Sequence, residues 1–306
     1  MILTERRIVR TTTQHDYQQR LLRVLLYVQK NLDRELTLDE LAEVAHFSPY
    51  HFHRIFRGMV GESVRAHIRR LRLERAAGRL IMGDDPIIRI ALDAGYESHA
   101  AFTRAFGAMT GLSPSEYRKR RRPLVAHAPG LRYTEDGEIA FTTTDSGGET
   151  MDVTIKKIPE MRVAFVRHVG PYAECGGAWS RLCMKLGPEG RLGPGAKFIG
   201  LSHDDPDVTP ADKIRYDACV TVDDDFEPAG EIGVQTVGGG AYAVTTHHGP
   251  YEKLSQTYAA LCGQWVPAHD RTIRAEPSLE IYLNDPESTP PEELLTDIHL
   301  PLEGDA

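Results

Sequence analysis

The sequence predicts a multidomain chain. An all-α N-terminal domain has two helix-turn-helix motifs joined by a long helix, and an α+β C-terminal domain has two pseudo-symmetric repeats. Two observations carry this prediction. Residues 98–111 repeat residues 48–61 with Ser, Phe, Arg, Phe, Met and Gly in register, and residues 242–251 repeat residues 163–172 around a shared Gly-Pro-Tyr. Internal repeats of this kind indicate duplicated structural units.

Charge divides the chain in the same place. Residues 1–125 hold 22 Lys and Arg against 14 Asp and Glu, whereas residues 126–306 hold 14 against 30. The basic half suits a phosphate backbone, because cationic side chains release counterions from DNA. The acidic half suits a protein partner or a cationic ligand. We therefore expect a DNA-binding domain at 14–122, a linker at 123–150 and a small-molecule-binding domain at 151–306.

Apolar spacing places the long helices. Residues 16–32 carry apolar side chains at helical spacing, which predicts a helix buried on a wide face. Ser63 is a predicted N-cap, and the helix after it runs to about Met82, where a Gly-Asp-Asp-Pro sequence ends it. The linker is rich in Gly, Thr and Pro, and we expect one strand in it, at 139–144.

Three further serine or threonine positions mark helix starts. Thr37 and Glu40 have the spacing of a capping box, in which each side chain bonds the other residue's backbone N–H, and Ser113 and Glu116 have the same spacing. Ser48 precedes a proline that would occupy the first helical position, where its missing N–H costs nothing.

The second helix of each motif is predicted to contact DNA. The repeated Phe residues hold the fold, and the outward positions at the start of that helix reach base edges. The candidate DNA-contacting residues are Tyr50, His51, Arg54, His99, Thr103 and Arg104. Arg54 and Arg104 share a repeat position, and each either reads guanine or makes phosphate contacts or structural ion pairs. Ala100 and Ala101 give the second motif few side chains for base contacts, so it would position rather than specify.

These residues resemble the DNA-binding domain of the AraC/XylS family of transcriptional regulators over about 105 residues. The resemblance implies promoter DNA as a partner and RNA polymerase as a further one. The family usually carries this domain at the C-terminus, whereas here it is N-terminal, as in the Rob-like minority. The residues that carry the resemblance are Leu41, Ala42, Ser48, Phe52, Arg54, Phe56, Gly61, Arg72, Leu73, Ala76, Ile90, Ala91, Gly95, Tyr96, Ser98, Phe102, Arg104, Phe106, Gly111, Ser113, Pro114, Tyr117 and Arg118.

Each repeat of the acidic half reads as a strand, a Gly-Pro-Tyr turn and a helix, followed by a further strand at 215–221 or 279–283. That alignment makes Asp217 the expected counterpart of Glu280. The half resembles GyrI-like effector-binding domains, which bind amphipathic small molecules between their two halves. The resemblance implies that Glu280 is the buried charge for a cationic ligand.

The residues themselves also favour a charged site. A carboxylate beside aromatic rings attracts a cation and adds cation–π contacts. Leu279 and Ile281 point away from Glu280, which fits either an inward glutamate lining a cavity or an outward one over a packed sheet. The aromatic side chains that would line the ligand site, or else pack as ordinary core, are Trp179, Tyr216, Tyr251, Tyr258 and Tyr282.

We therefore predict a transcriptional regulator that binds promoter DNA and a small amphipathic, cationic effector, with no cofactor and no catalytic or metal-ligating residues. The alternatives are a C-terminal hydrolase, with Glu280 as general base and Tyr282 as its orienter, and a protein-interaction module. The sequence has no apolar run near the roughly 20 residues of a membrane helix. Its four cysteines lack C-x-x-C spacing and indicate reduced thiols rather than a redox sensor. We expect a cytoplasmic, nucleoid-associated protein without a membrane partner.

Overall fold

The N-terminal half is helical, as expected. The computed structural model describes residues 2–120, 129–133, 139–141, 151–204, 206 and 209–305. The helices of this half are α1 (Ile2–Lys30), α2 (Leu38–Ala45), α3 (Pro49–Val60), α4 (Val64–Met82), α5 (Ile87–Asp93), α6 (His99–Thr110) and α7 (Pro114–Arg120). Helices α2 and α3 form the first helix-turn-helix, α5 and α6 form the second, and α4 joins them.

Two predicted helix starts are confirmed in full. Ser63 Oγ accepts a hydrogen bond from the N–H of Ala66 at 3.3 Å and caps α4. At α7, Ser113 N–H donates to the Glu116 carboxylate at 3.0 Å, and Glu116 N–H donates to Ser113 Oγ at 3.3 Å. Both halves of the capping box are therefore formed.

The other two starts differ from the prediction in their side-chain partners. Thr37 Oγ1 caps α2 by accepting from Glu40 N–H at 3.3 Å, but the Glu40 carboxylate binds Arg34 and Tyr27 instead of reaching back. A guanidinium is a stronger partner than a backbone amide, and this explains the difference. Ser48 precedes α3 with proline at its first position, but its side chain makes no capping hydrogen bond.

The predicted linker contributes a small antiparallel pair, β1 (Leu131–Tyr133) and β2 (Ile139–Phe141). The predicted strand at 139–144 is thus confirmed for its first three residues, and residues 142–144 lie outside the described residues. Leu131 is buried in the core around α1 to α3, and Gly130 N–H donates to Val60 O at 2.9 Å. The end of the basic run after Arg120 also lies outside the described residues.

The C-terminal half is a closed, antiparallel six-stranded barrel with helices on its outer face. Its elements are β3 (Thr154–Val169), α8 (Gly176–Leu186), β4 (Phe198–Ser202), β5 (Arg215–Thr221), β6 (Gly233–His248), α9 (Leu254–Ala260), α10 (Val266–Ala268), β7 (Leu279–Tyr282) and β8 (Leu295–Pro301). The strand order around the barrel is β3-β5-β4-β7-β8-β6. The helix α9 runs through a π-helical turn, Leu261–Trp265, into α10.

The two predicted repeats are confirmed as β3-α8-β4-β5 and β6-α9-β7-β8. In both, a histidine at the end of the long strand lies within hydrogen-bond distance of the proline carbonyl of the Gly-Pro-Tyr turn. The distance is 3.0 Å for His168 and 3.2 Å for His247. The glycine of each turn, Gly170 or Gly249, has a positive φ (147° and 117°), which favours a residue without Cβ.

The expected pairing of carboxylates between the repeats is wrong. By element order β7 is the counterpart of β4, and β8 is the counterpart of β5. Glu280 therefore corresponds to Gly200, its direct partner across the β4–β7 ladder, and Asp217 corresponds to Asp297. The short strand β4 carries no charged residue. Because the alignment of the two repeats did not include β4, it paired β5 with β7.

The cores do not follow the predicted division of the chain. One apolar cluster contains residues of α1, α2, α3 and the first half of α4 (Val64 and Leu71) together with residues of α9, α10, β6 and β8. A second cluster holds the second helix-turn-helix with α4 and α7, and a third fills the barrel interior. The first helix-turn-helix thus shares a core with the C-terminal half, whereas the second has its own. None of the described helices combines the length and apolar character needed to cross a membrane.

Candidate functional site

A buried carboxylate on β7 lies at the centre of the candidate site. Leu279 and Ile281 point into the barrel, so Glu280 lies on the outer face of the sheet, where it is only 5% exposed. Its Oε1 accepts hydrogen bonds from Ser202 and Tyr258, both at 3.1 Å, and its Oε2 accepts one from Tyr282 at 3.0 Å. Three hydroxyl donors thus hold a carboxylate that makes no ion pair within the described part of the chain.

The fold brings these donors together from three elements. Ser202 ends β4, Tyr282 lies two residues beyond Glu280 on the same face of β7, and Tyr258 comes from α9 above the sheet. Gly200, opposite Glu280, makes room for them. A Cβ at that position would lie 2.5 Å from the Tyr282 hydroxyl and 2.6 Å from the Tyr216 hydroxyl. The glycine is therefore required by the close approach of two tyrosines.

An aromatic chain continues from the carboxylate. Trp179 Nε1 donates to the Tyr216 hydroxyl at 3.2 Å, and that hydroxyl lies 2.8 Å from the Tyr282 hydroxyl. The Tyr251 ring lies 5.3 Å from the Tyr282 ring, centroid to centroid. Together with Tyr258, these are the five aromatic residues that the sequence nominated. Each lies within one or two contacts of Glu280.

Burial keeps the phenols of this network protonated. Desolvation, followed by the nearby Glu280 charge, raises the pKa of Tyr258 well above its ordinary value. Desolvation is also the largest cause of the raised pKa values of Tyr216 and Tyr282. The three side chains are therefore hydrogen-bond donors at neutral pH, suited to solvating a carboxylate.

A cation from the other half of the chain reaches the same place. The Arg54 guanidinium of α3 lies 3.6 Å from the centre of the Tyr258 ring, and its Nη1 donates to Ser278 Oγ at 3.0 Å. Arg54 is buried at 8% exposure and has no carboxylate ion pair among the described residues. Glu280 and Arg54 thus contact the same tyrosine, the first through its hydroxyl and the second through its ring.

The remaining candidates of the first motif also face the C-terminal half. His51 is buried, and its Nε2 lies 3.1 Å and 2.8 Å from the backbone carbonyls of Arg274 and Glu276. Tyr50 is half-buried. Sequence reasoning missed this contact between the halves.

The sequence does hold one signal of this contact, a glycine in the first motif at a position where the second motif has alanine. Gly58 lies where the second motif has Ala108, and its Cα is so close to the Gly263 and Ala259 backbones that a Cβ would lie 2.1 Å from Ala259 O.

The second motif presents two of its three candidates to solvent. His99 and Arg104 are exposed, and Thr103 is half-buried. Ala100, which offers little to a base edge, lies on the same exposed surface. The two copies of the repeated motif therefore differ in their surroundings, although the Arg of each has the same place on its helix.

Asp217 is a structural acid and lies apart from Glu280. It accepts hydrogen bonds from Arg167 at 2.7 and 2.8 Å, and His203 Nε2 lies 2.9 Å from its Oδ2. Although burial opposes ionisation, these two partners hold its pKa below the ordinary value. It lies on the barrel side of β5 with Cys219, opposite to Tyr216. Its charge is balanced, so it is not a second ligand carboxylate.

Comparison with known proteins gives the same two parts. Residues 151–303 match the GyrI-like small molecule binding domain family, and residues 41–120 match a helix-turn-helix domain family. The HTH-type transcriptional regulator YbfP of Bacillus subtilis is 38% identical over 102 residues, which are 33% of this chain and 35% of YbfP. The HTH-type transcriptional activator AarP of Providencia stuartii is 36% identical over 95 residues, 31% of this chain and 70% of AarP.

Among solved structures, the EcmrR C-terminal domain aligns with 51% of this chain and 99% of that domain, at 24% identity and a TM-score of 0.41. The family matches together cover both the helical half and the barrel. The chain belongs to the GyrI-like small molecule binding family and, through its N-terminal half, to the AraC-type helix-turn-helix transcriptional regulators.

Proposed function

We propose that this regulator binds promoter DNA through its helix-turn-helix motifs and a small amphipathic cation at Glu280. The observation that carries the ligand proposal is a buried carboxylate that is hydrogen-bonded only by hydroxyl groups and has no ion pair within the described residues. A buried carboxylate that no cationic group contacts directly is costly to fold. A cationic ligand that contacts Glu280 offsets that cost. Its affinity for the protein is therefore increased by the same carboxylate that destabilises the ligand-free fold.

The surroundings suit an amphipathic cation. The Tyr282 ring lies near the carboxylate and packs edge to face with the rings of Trp179 and Tyr251. Aromatic faces attract a cation by about 0.5–2 kcal/mol and bury the apolar part of the same ligand. Hydroxyl donors orient the Glu280 carboxylate before the ligand arrives, which reduces the ordering cost of binding.

The hydrolase alternative has less support. A general base must take a proton from a water or a substrate, whereas the groups that hydrogen-bond to Glu280 among the described residues are the hydroxyls of one serine and two tyrosines. The neighbouring phenols have raised pKa values because of burial, so they are poor bases and poor nucleophiles. These observations favour binding over turnover.

The DNA proposal is supported by charge and by exposure. The first 125 residues carry an excess of eight positive charges, and His99 and Arg104 lie on an exposed face of α6. We infer that α6 makes phosphate contacts from this face. RNA polymerase is proposed as the protein partner, in line with the activator AarP among the relatives.

Titration calorimetry with benzamidinium, benzamide and benzoate tests the ligand site on the full chain, because the three probes share one ring and differ in charge. We expect benzamidinium alone to bind and Glu280→Gln to abolish that binding. Glu287→Gln removes the same charge from an exposed position and is expected to bind as wild type does. Equal binding of benzamide, or unchanged affinity in Glu280→Gln, would refute the site.

A further inference from the structure

The ligand site and the first DNA-binding helix share one arginine. Arg54 lies in the middle of α3, at a position predicted to reach a base edge, but its guanidinium stacks on Tyr258 at 3.6 Å instead. Tyr258 in turn donates to Glu280 at 3.1 Å. The side chain is therefore buried beneath the C-terminal half and is not available to DNA in this conformation.

The packing around Arg54 holds the whole of α3 in place. Gly58 and Gly263 bring the two backbones into van der Waals contact, since a Cβ on Gly58 would lie 2.7 Å from the Gly263 Cα. His51 adds a hydrogen bond to the carbonyls of Arg274 and Glu276. A helix packed this way cannot enter a major groove, because the groove must enclose the same face.

The second motif is an internal reference for this arrangement. Its Arg104 has the same place in the repeat as Arg54 and is exposed, and its Ala108 replaces Gly58. The helix-turn-helix fold itself therefore tolerates a methyl group at this position and leaves the arginine free. The helix-turn-helix fold therefore does not itself require a buried arginine at position 54 or a glycine at position 58. Both features result from the packing of α3 against the C-terminal half.

We propose that Arg54 is a tethered occupant of the effector site, and that a planar, delocalised cation of the amidinium or guanidinium class displaces it and so releases α3 for DNA. The proposal rests on the proposed function, because it takes Glu280 as the site's carboxylate. It adds the class of ligand and the way in which its binding changes DNA binding.

The geometry selects this ligand class. A guanidinium stacks face-on on an aromatic ring and donates hydrogen bonds in its own plane, as Arg54 does to Ser278 Oγ at 3.0 Å. An amidinium has the same flat shape and in-plane donors, whereas a quaternary ammonium is round and has no donor. The free ligand must compete with a side chain that is already held at high effective concentration.

Competition predicts an inverse effect of the arginine on ligand affinity. We expect Arg54→Ala to bind benzamidinium about tenfold more tightly than wild type, since the competing docked state is removed. Arg54→Met keeps the length and apolar stem of the side chain, and it is expected to shift affinity the same way if the alanine variant proves unstable. Arg104→Ala, the matched change in the second motif, should leave the affinity unchanged.

Hydrogen exchange on the wild-type chain tests the release of α3. Benzamidinium should raise the exchange rates of amides in α3 and in the Leu261–Trp265 turn, while those of α6 stay the same. Benzyltrimethylammonium, which is cationic but not planar, should bind at least about tenfold more weakly than benzamidinium.

The outcomes separate the two proposals. Glu280-dependent binding of benzamidinium with no effect of Arg54→Ala and no change in α3 exchange would overturn the tethered arginine and leave the effector site standing. Binding that does not depend on Glu280 would overturn the site itself and the tethered arginine with it. Binding seen only in Arg54→Ala would support both, and binding in neither chain would overturn both.

Discussion

At the scale of single residues, a glycine sets the shape of the proposed ligand site. Gly200 faces Glu280 across the β4–β7 ladder, and a methyl group there would collide with the hydroxyls of Tyr282 and Tyr216. Both hydroxyls belong to the network around the carboxylate, and neither can move freely because each ring is packed. We expect Gly200→Ala to lower the free energy of unfolding by about 1–3 kcal/mol, measured by urea denaturation.

The control for this change is Gly195→Ala in the loop before β4, where no atom lies within 4 Å of the added methyl. Its free energy of unfolding should stay within about 0.5 kcal/mol of wild type. If the two variants lose the same stability, a general cost of replacing glycine would explain the result, and the close approach of the tyrosines would not.

The resemblance to GyrI-like domains allowed Glu280 and its aromatic neighbours to be named, whereas alternation along the strand left open which face Glu280 occupies. Neither allowed the assignment of their partners. Ser202 ends a short apolar strand without a sequence signal, and Arg54 comes from a helix 226 positions away in the chain. Both belong to the site through tertiary packing, which local spacing does not encode.

At the scale of elements, the contact between α3 and the helix of the second repeat depends on two facing glycines. We expect Gly58→Ala to separate the helices, because its methyl would lie 2.1 Å from Ala259 O. The motif itself should stay folded, since Ala108 occupies the equivalent position in the second copy. Hydrogen exchange should show faster exchange in α3 and in Leu261–Trp265, with α6 unaffected.

Gly78→Ala on α4 is the matched control, because no atom lies within 4 Å of its added methyl. Alanine is favoured over glycine within a helix by about 1 kcal/mol, so this variant should be more stable than wild type. Unchanged exchange in α3 of Gly58→Ala would show that the two helices are not held by this contact.

Helix starts illustrate which local signals are sufficient. Ser63 and the pair Ser113 and Glu116 form the predicted caps. Glu40 has the same spacing but binds Arg34, which the chain brings to it after α1. The starts of helices are thus predictable from sequence, whereas the choice of side-chain partner depends on charges brought in by the fold.

At the scale of the whole molecule, the shared core predicts which parts unfold together. Both tryptophans, Trp179 and Trp265, lie in the C-terminal half, and Trp265 packs against the core that includes α1 to α3. Tryptophan fluorescence should therefore follow unfolding of the barrel with the first motif. Far-UV circular dichroism should show an additional helical transition from the second motif, whose core is separate. Coincident transitions by the two probes would contradict this division.

The contact between the halves should also depend on pH, because it buries a neutral imidazole. Burial, and then the Arg54 charge, lowers the pKa of His51 from its ordinary 6.5 to about 3. Between these values the unfolded chain binds a proton that the folded chain does not, so stability is full above pH 6.5 and falls as the pH drops toward 3. The wild-type chain should lose about 2 kcal/mol more than His51→Gln between pH 7 and pH 5, measured by urea denaturation at each pH.

Other groups contribute to the acid loss and are shared by both chains. Burial lowers the pKa of His299 to about 4, which gives a loss of the same sign. The informative quantity is therefore how much more steeply the free energy of unfolding depends on pH in wild type than in His51→Gln. As a control, His99→Gln changes an exposed histidine of the second motif and should keep the pH dependence of wild type. Equal slopes for wild type and His51→Gln would mean that the folded chain protonates His51 freely. The imidazole would then not be held between the two backbone carbonyls, and α3 would spend much of its time away from the C-terminal half.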